Sequence, residues 1–156
     1  MRVVVATDGS KESLAAAHQL KAFADPNKIT EVIVVAVVSP LAAVPFENEL
    51  TDRPPTSGGV PGAISFVEEA EGATTAIMAE FSGWGPVVSR RLRSGSPAPE
   101  IVKVAEEVQA DLIVVASGAK GLTPTILLGS TAQRVQYSAP CPVLVSRSAP
   151  HHTHVG

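Results

Sequence analysis

Clustered basic charge, cysteine pairs and long apolar runs are all scarce in this sequence, and each shortage narrows what the chain can do. Lys and Arg number 12 against 15 Asp and Glu in 156 residues, for a formal net charge of −3, and no basic run is longer than Arg90-Arg91. A nucleic-acid backbone is held by clustered cations, so no DNA or RNA partner is expected. The single cysteine, Cys141, has no internal partner for a disulfide, which fits a reducing compartment and sets the expectation of a cytoplasmic protein. No apolar stretch reaches membrane length, and the one after Met1 and Arg2 stops at Asp8, too short for a signal-peptide core. No membrane association is therefore expected.

Catalytic signatures are missing too. There is no Gly-Lys-Ser/Thr of a P-loop and no Gly-x-Gly-x-x-Gly after the first apolar run. Ser10, Cys141 and the histidines form no nucleophile, base and orienter set, since His18 falls mid-helix and His151, His152 and His154 lie in the tail. Covalent catalysis has no candidate, and at most a very slow hydrolysis is expected.

What is present is a core-forming sequence. Apolar residues make up 45 % and charged ones 17 %, enough to fold one domain and too little charge for disorder. Val3 to Ala6, Val32 to Val38 and Leu112 to Ala116 are continuous apolar runs of the kind that fill strands buried on both faces. Val87 to Arg93 reads as a further strand whose Arg90, Arg91 and Arg93 guard a sheet edge, and Val143 to Val145, beside Pro140 and Pro142, as a short edge strand. Between them lie helical patterns. Ser10 to Ala24 carries Ala16, Leu20 and Phe23; Phe66, Ala70, Ala73, Ile77 and Phe81 share one face; Ile101, Val104, Ala105 and Val108 follow Ser96-Pro97; Ser130 to Tyr137 closes the series. Buried strands alternating with amphipathic helices predict a parallel, helix-covered sheet with right-handed crossovers.

Two segments stand apart from this pattern. Ser39 to Gly62 holds five prolines and three glycines and reads as a long flexible connection. Residues 148–156 have no core positions and read as a disordered tail, leaving 1–147 as the domain.

Ligands in such sheets sit beyond the carboxyl ends of strands, where strand order reverses. Only two strand ends carry clustered small and polar residues: Thr7-Asp8-Gly9-Ser10 after the first strand, and Ser117-Gly118-Ala119-Lys120-Gly121 after the fourth. Glycines let backbone N–H groups approach a phosphate, and Gly129-Ser130-Thr131 supplies a helix start with free N–H groups. Each piece also has a plainer reading. Asp8 is either a ligand group or a turn residue, Ser130 with Gln133 is either a phosphate contact or a capping box, the glycines shape a turn, and Lys120 is a solvated charge.

These residues resemble the universal stress protein family across nearly the whole chain. The carriers are Val3-Val4-Val5-Ala6-Thr7-Asp8-Gly9-Ser10, Ala110-Asp111-Leu112-Ile113-Val114-Val115, Leu127-Leu128-Gly129-Ser130 and Ala139-Pro140-Cys141-Pro142-Val143-Leu144-Val145. The resemblance implies an α/β three-layer sandwich, a five-stranded parallel sheet of order 3-2-1-4-5 with helices on both faces, and homodimers through the strand at 143–147. It also implies a stress-response regulatory protein that binds an adenine nucleotide, ATP with Mg²⁺ or else ADP or AMP. The nucleotide positions fall on Ala6, Thr7, Asp8, Val37, Ser117, Gly118, Lys120, Gly121, Gly129, Ser130 and Thr131. One departure stands out: the family's Gly-x2-Gly-x9-Gly-Ser/Thr pattern has seven residues here between Gly121 and Gly129, including Pro124. Losing two residues shortens an extended arc by about 7 Å and a helical one by about 3 Å. The alternative is a nucleotide-free member that acts by dimerising and docking partners.

Overall fold

The computed structural model describes residues 1–38, 61–117 and 130–147, with the side chains of 61–65 excepted. In chain order the elements are β1 (Arg2–Thr7), α1 (Lys11–Phe23), a 3-10 turn (Pro26–Lys28), β2 (Glu31–Val38), α2 (Pro61–Glu80), β3 (Val87–Ser94), α3 (Pro97–Val108), β4 (Leu112–Ala116), α4 (Ser130–Ser138) and β5 (Val143–Ser146). The strands form one parallel sheet of order β3-β2-β1-β4-β5, the order expected from the sequence.

Alternation along the buried strands explains the layers. Val4, Ile33, Val35, Ile113 and Val115 face α3 and α4, whose Ile101, Val104, Ala105, Val108, Ala132 and Val135 complete one core. Val3, Val5, Val32, Val34 and Val114 face the other way, against Ala16, Ala17 and Leu20 of α1 and Ile77 and Phe81 of α2. Both faces of the central strands are dry, which is why those strands read as continuous rather than alternating apolar runs. Each fully buried Leu, Ile or Phe in these layers contributes about 1.5–3 kcal/mol of transfer free energy.

Local details differ from the expectation in four places. Phe23 ends α1 and is 64 % exposed, so the inner face of that helix is carried by Ala16, Ala17 and Leu20, with Ser13 buried and Leu14 packed beside them. The helix α2 begins at Pro61, two residues inside the stretch read as a connection. Ser96 precedes α3 without a side-chain cap, and Pro97 at the first helical position makes the opening. Arg91 and Arg93 do more than guard the β3 edge: Arg93 meets both Glu107 oxygens at 3.0 Å and Glu100 at 3.2 Å, tying β3 to α3, while Arg91 lies 3.6 Å from Glu107. The remainder of the proline-rich connection and the tail 148–156 lie outside the described residues.

At the amino ends of the strands, Arg2 and Asp111 form a reciprocal clasp. The Arg2 N–H donates to Asp111 Oδ2 at 2.8 Å and the Asp111 N–H to the Arg2 carbonyl at 2.8 Å. This fixes β1 against β4 at one end only. Cys141 lies half-buried beside this core, and burial first, then the negative charge of Asp111, pushes its thiol pKa up. A raised thiol is a poor nucleophile at neutral pH. Among the described residues no helix is long and apolar enough to cross a membrane.

Candidate functional site

The strands β1 and β4 pair only from Val3↔Leu112 to Val5↔Val114, whereas β1 pairs with β2 as far as Thr7↔Ala36 and β4 with β5 as far as Ala116↔Ser146. The sheet therefore splits at its carboxyl edge between the two strands where the chain order reverses. A cleft of about 320 Å³ opens there, on the side of the sheet covered by α3 and α4. Its size falls in the range of small-molecule sites.

The cleft has an apolar floor and a polar margin. Ala6, Val35, Val37, Val115, Ala116 and Ala132, with Pro97 and Ile101 from the first turn of α3, supply the floor. Asp8, Ser10, Ser117, Ser130 and Thr131 supply the margin, with Thr7 and Ser13 behind them. Of the sequence-expected positions, Ala6, Thr7, Asp8, Val37, Ser117, Ser130 and Thr131 thus line one cavity. Gly118, Lys120, Gly121 and Gly129 lie outside the described residues.

The β1 turn is built by its own hydroxyls. Ser10 caps α1, its Oγ accepting from the Ser13 N–H at 3.1 Å, and Asp8 Oδ1 accepts from the Ser10 N–H at 3.0 Å. Gly9 sits at φ +83°, where a side chain would be strained, and its N–H donates to Thr7 Oγ1 at 3.1 Å. Thr7 is buried and its hydroxyl is engaged with Ser13 Oγ at 2.8 Å. Thr7 therefore holds the turn, while Asp8 serves both the turn, through Oδ1, and the cleft, whose margin it lines.

The opposite wall is simpler. Ser117 follows β4, is 6 % exposed, and is anchored by its N–H to the Ser146 carbonyl at 2.8 Å. Ser130 opens the described part of α4. The start of the described part of α4 borders the cleft through Ser130, Thr131 and Ala132. Groups able to bind an anion stand on the β4 side, an apolar slot stands on the β2 and α3 side, and a carboxylate stands between.

Sequence reasoning missed Pro97 and Ile101. Their signal was available: a right-handed crossover from β3 brings the start of α3 back over the carboxyl ends of the strands, and the two residues are four apart. Ser10 was legible as the start of a helix but not as part of the cleft, and Ser13 was missed.

Comparison with known proteins agrees with this geometry. The sequence profile of the universal stress protein family matches residues 1–147. Universal stress protein MJ0531 of Methanocaldococcus jannaschii is 35 % identical over 147 residues, spanning 92 % of this chain and 80 % of that protein. Among solved structures, the protein MJ0577 is 30 % identical with a TM-score of 0.75, over 96 % of this chain and 97 % of that one. Three more distant structures share the fold and were solved with ligands. A universal stress protein with cAMP is 24 % identical (TM-score 0.59, 96 % and 98 % covered), one from Arabidopsis thaliana with AMP 16 % (0.64, 99 % and 96 %), and one from Archaeoglobus fulgidus with dAMP 23 % (0.59, 94 % and 97 %).

Proposed function

The chain belongs to the universal stress protein family, and within that family we propose that it is a regulatory binding module for an adenine nucleotide, ATP with Mg²⁺ or the shorter ADP or AMP. The observation that carries this reading is the cleft where β1 and β4 separate, with its apolar slot, its carboxylate and its helix start in that spatial order. A purine fits the slot formed by Val37, Val35, Pro97 and Ile101, burying a flat apolar face. Asp8 lies where a ribose hydroxyl would donate to its carboxylate. Ser117, Ser130 and Thr131 lie where phosphate oxygens would accept. The cAMP, AMP and dAMP complexes of the distant structural neighbours support the same ligand class. From the sequence, the glycines at 118, 121 and 129 and Lys120 join the proposed phosphate contacts, and residues 1–147 form the working domain.

The reading also takes the outer edge of β5 as the homodimer surface. Among the described residues that strand has one sheet neighbour, β4, and its Val143, Leu144 and Val145 are only half-buried. The module works in the cytoplasm and transmits nucleotide status through this contact rather than by turnover.

Thermal unfolding with ATP, ADP and AMP, with and without Mg²⁺, tests the proposal. A nucleotide at a hundred times its Kd adds about 2.7 kcal/mol to stability, a readily measured rise in Tm. Absence of any rise with all three would leave the nucleotide-free reading, in which the chain acts by dimerisation and docking alone. Light scattering with a charged substitution at Leu144 tests the edge: the parent should be a dimer and the variant a monomer.

A further inference from the structure

Sheet register sets Arg93 beside a wall of the cleft. In the β2–β3 ladder Val37 is the partner of Arg93, and ladder partners leave the sheet on the same face. Val37 lines the cleft and packs against the core beneath α3. The Arg93 guanidinium, on that same face, reaches α3 itself: Nε donates to Glu100 at 3.2 Å, and the two terminal nitrogens donate to the two Glu107 oxygens at 3.0 Å each. Glu100 and Glu107 stand two turns apart on one stripe of the helix, with Lys103 between them, 3.5 Å from Glu100 Oε2.

Glu100 belongs to the first turn of α3, between Pro97 and Ile101, the two residues of that helix that line the cleft. The Ser96 side chain caps no N–H group there, so the usual fastening of a helix start is missing. The backbone before it is pinned by the Gly95 N–H on the Val38 carbonyl at 3.0 Å, and Gly95 is a joint with little torsional restraint of its own. Core packing of Val104, Ala105 and Val108 holds the rest of the helix. The Arg93 bonds hold its opening turn. Resting on the nucleotide reading above, we propose that Arg93 is a positioning residue for the base: through Glu100 it keeps Pro97 and Ile101 over Val37 at the separation of a flat ring, and so sets a preference for a purine over a pyrimidine. A purine, the larger ring, makes more contacts with both walls of such a slot and loses more when the slot opens. The ribose and phosphate contacts lie on the far side of the cleft and are common to both kinds of nucleotide.

NMR titration of the full chain with the matched pairs ATP and UTP, ADP and UDP, and AMP and UMP tests this, because the members of each pair present the same ribose and phosphates. The parent should prefer the adenine member. Arg93→Gln should cut that preference about fivefold, weakening the adenine nucleotide while the uridine one stays within roughly twofold. Glu100→Gln should do the same from the helix side, and Arg93→Lys, which keeps the charge, should restore part of the preference. Arg2→Gln removes a different ion pair, with Glu31 at the amino end of the sheet, and should leave the preference unchanged. Equal weakening of both members in Arg93→Gln would overturn the inference, as a general loosening or a long-range charge effect, and leave the nucleotide reading standing. A parent without a purine preference, or a preference unaltered in both Arg93→Gln and Glu100→Gln, would overturn it in the same way. Binding of no nucleotide by the parent would remove the nucleotide reading and this inference with it.

Discussion

The Thr7 and Ser13 hydroxyl oxygens lie 2.8 Å apart in the buried base of the turn that carries Asp8. Ser13 Oγ already donates its one hydrogen to the Ser10 carbonyl at 2.8 Å, so Thr7 must donate to Ser13 while accepting from the Gly9 N–H. Every hydroxyl proton in this chain of bonds has a fixed destination, and the Asp8 side chain is held by the same turn. Thr7→Val keeps the side-chain shape but strands the Gly9 N–H and the Ser13 lone pairs, and should cost about 1–3 kcal/mol. Ser13→Ala removes Thr7's acceptor and should cost a similar amount, with the double variant losing about 0.5–3 kcal/mol less than the sum. Denaturant unfolding of the four proteins checks this, and strict additivity would mean that the two hydroxyls act independently.

Gly95 shows how a loop residue can govern a neighbouring ion pair. It sits at φ +143°, and a Cβ there would lie 3.0 Å from Glu100 Oε2 and 3.1 Å from Cγ. Glu100 can move aside only by giving up its bond to Arg93 Nε. Gly95→Ala should therefore cost about 2–4 kcal/mol, backbone strain plus the displaced pair. Gly83→Ala, at φ +77° with open space around it, should show only the strain, about 1–2 kcal/mol. Equal losses in chemical denaturation would show that the Glu100 contact carries no energy.

Much of this architecture was legible because buried parallel strands announce themselves. Val3–Val5, Val32–Val35 and Ile113–Val115 are so uniformly apolar that only a strand covered on both faces accommodates them. The reversal of strand order then places a cleft between the carboxyl ends of β1 and β4. Less legible were features set by tertiary contact. Phe23 has the right spacing for the core, yet α1 ends at that residue, beyond the helices that would cover it. Pro97 and Ile101 read as helix start and helix core, and only the crossover geometry turns them toward a ligand. The partnering of Thr7 with Ser13 needs a helix to begin within reach of a strand end. Identity alone does not reveal which hydroxyl is satisfied within the fold.

Gln109 closes α3 in the left-handed conformation, at φ 55° and ψ 55°, with its N–H on the Ala105 and Glu106 carbonyls. Glycine reaches that conformation without the steric cost a Cβ imposes. The side chain is exposed and makes no hydrogen bond among the described residues, so nothing is lost with it. Gln109→Gly should raise stability by about 0.5–1 kcal/mol, after allowance for the larger entropy of the unfolded chain. Thermal melts decide the sign, and a lower Tm would mean that the unfolded-state term dominates.

The Arg93–Glu107 fork predicts a specific acid response. The two guanidinium hydrogen bonds, ahead of the coulombic attraction of Arg93, Arg91 and Lys103, hold the Glu107 carboxyl below the ordinary glutamate range. A lowered folded-state pKa means that the folded chain binds fewer protons than the unfolded one across the interval between the two values. The pair's contribution is therefore complete above the ordinary glutamate pKa and fades as pH falls through the lowered one. The pair faces solvent, so its share of stability is modest and salt-screened. The titration itself is the sharper readout. In Arg93→Gln the Glu107 carboxyl, followed by NMR, should titrate at higher pH than in the parent, and added salt should narrow the gap. An unchanged Glu107 titration in Arg93→Gln would assign the depression to Arg91 and Lys103 and leave the Arg93 fork without a share in it.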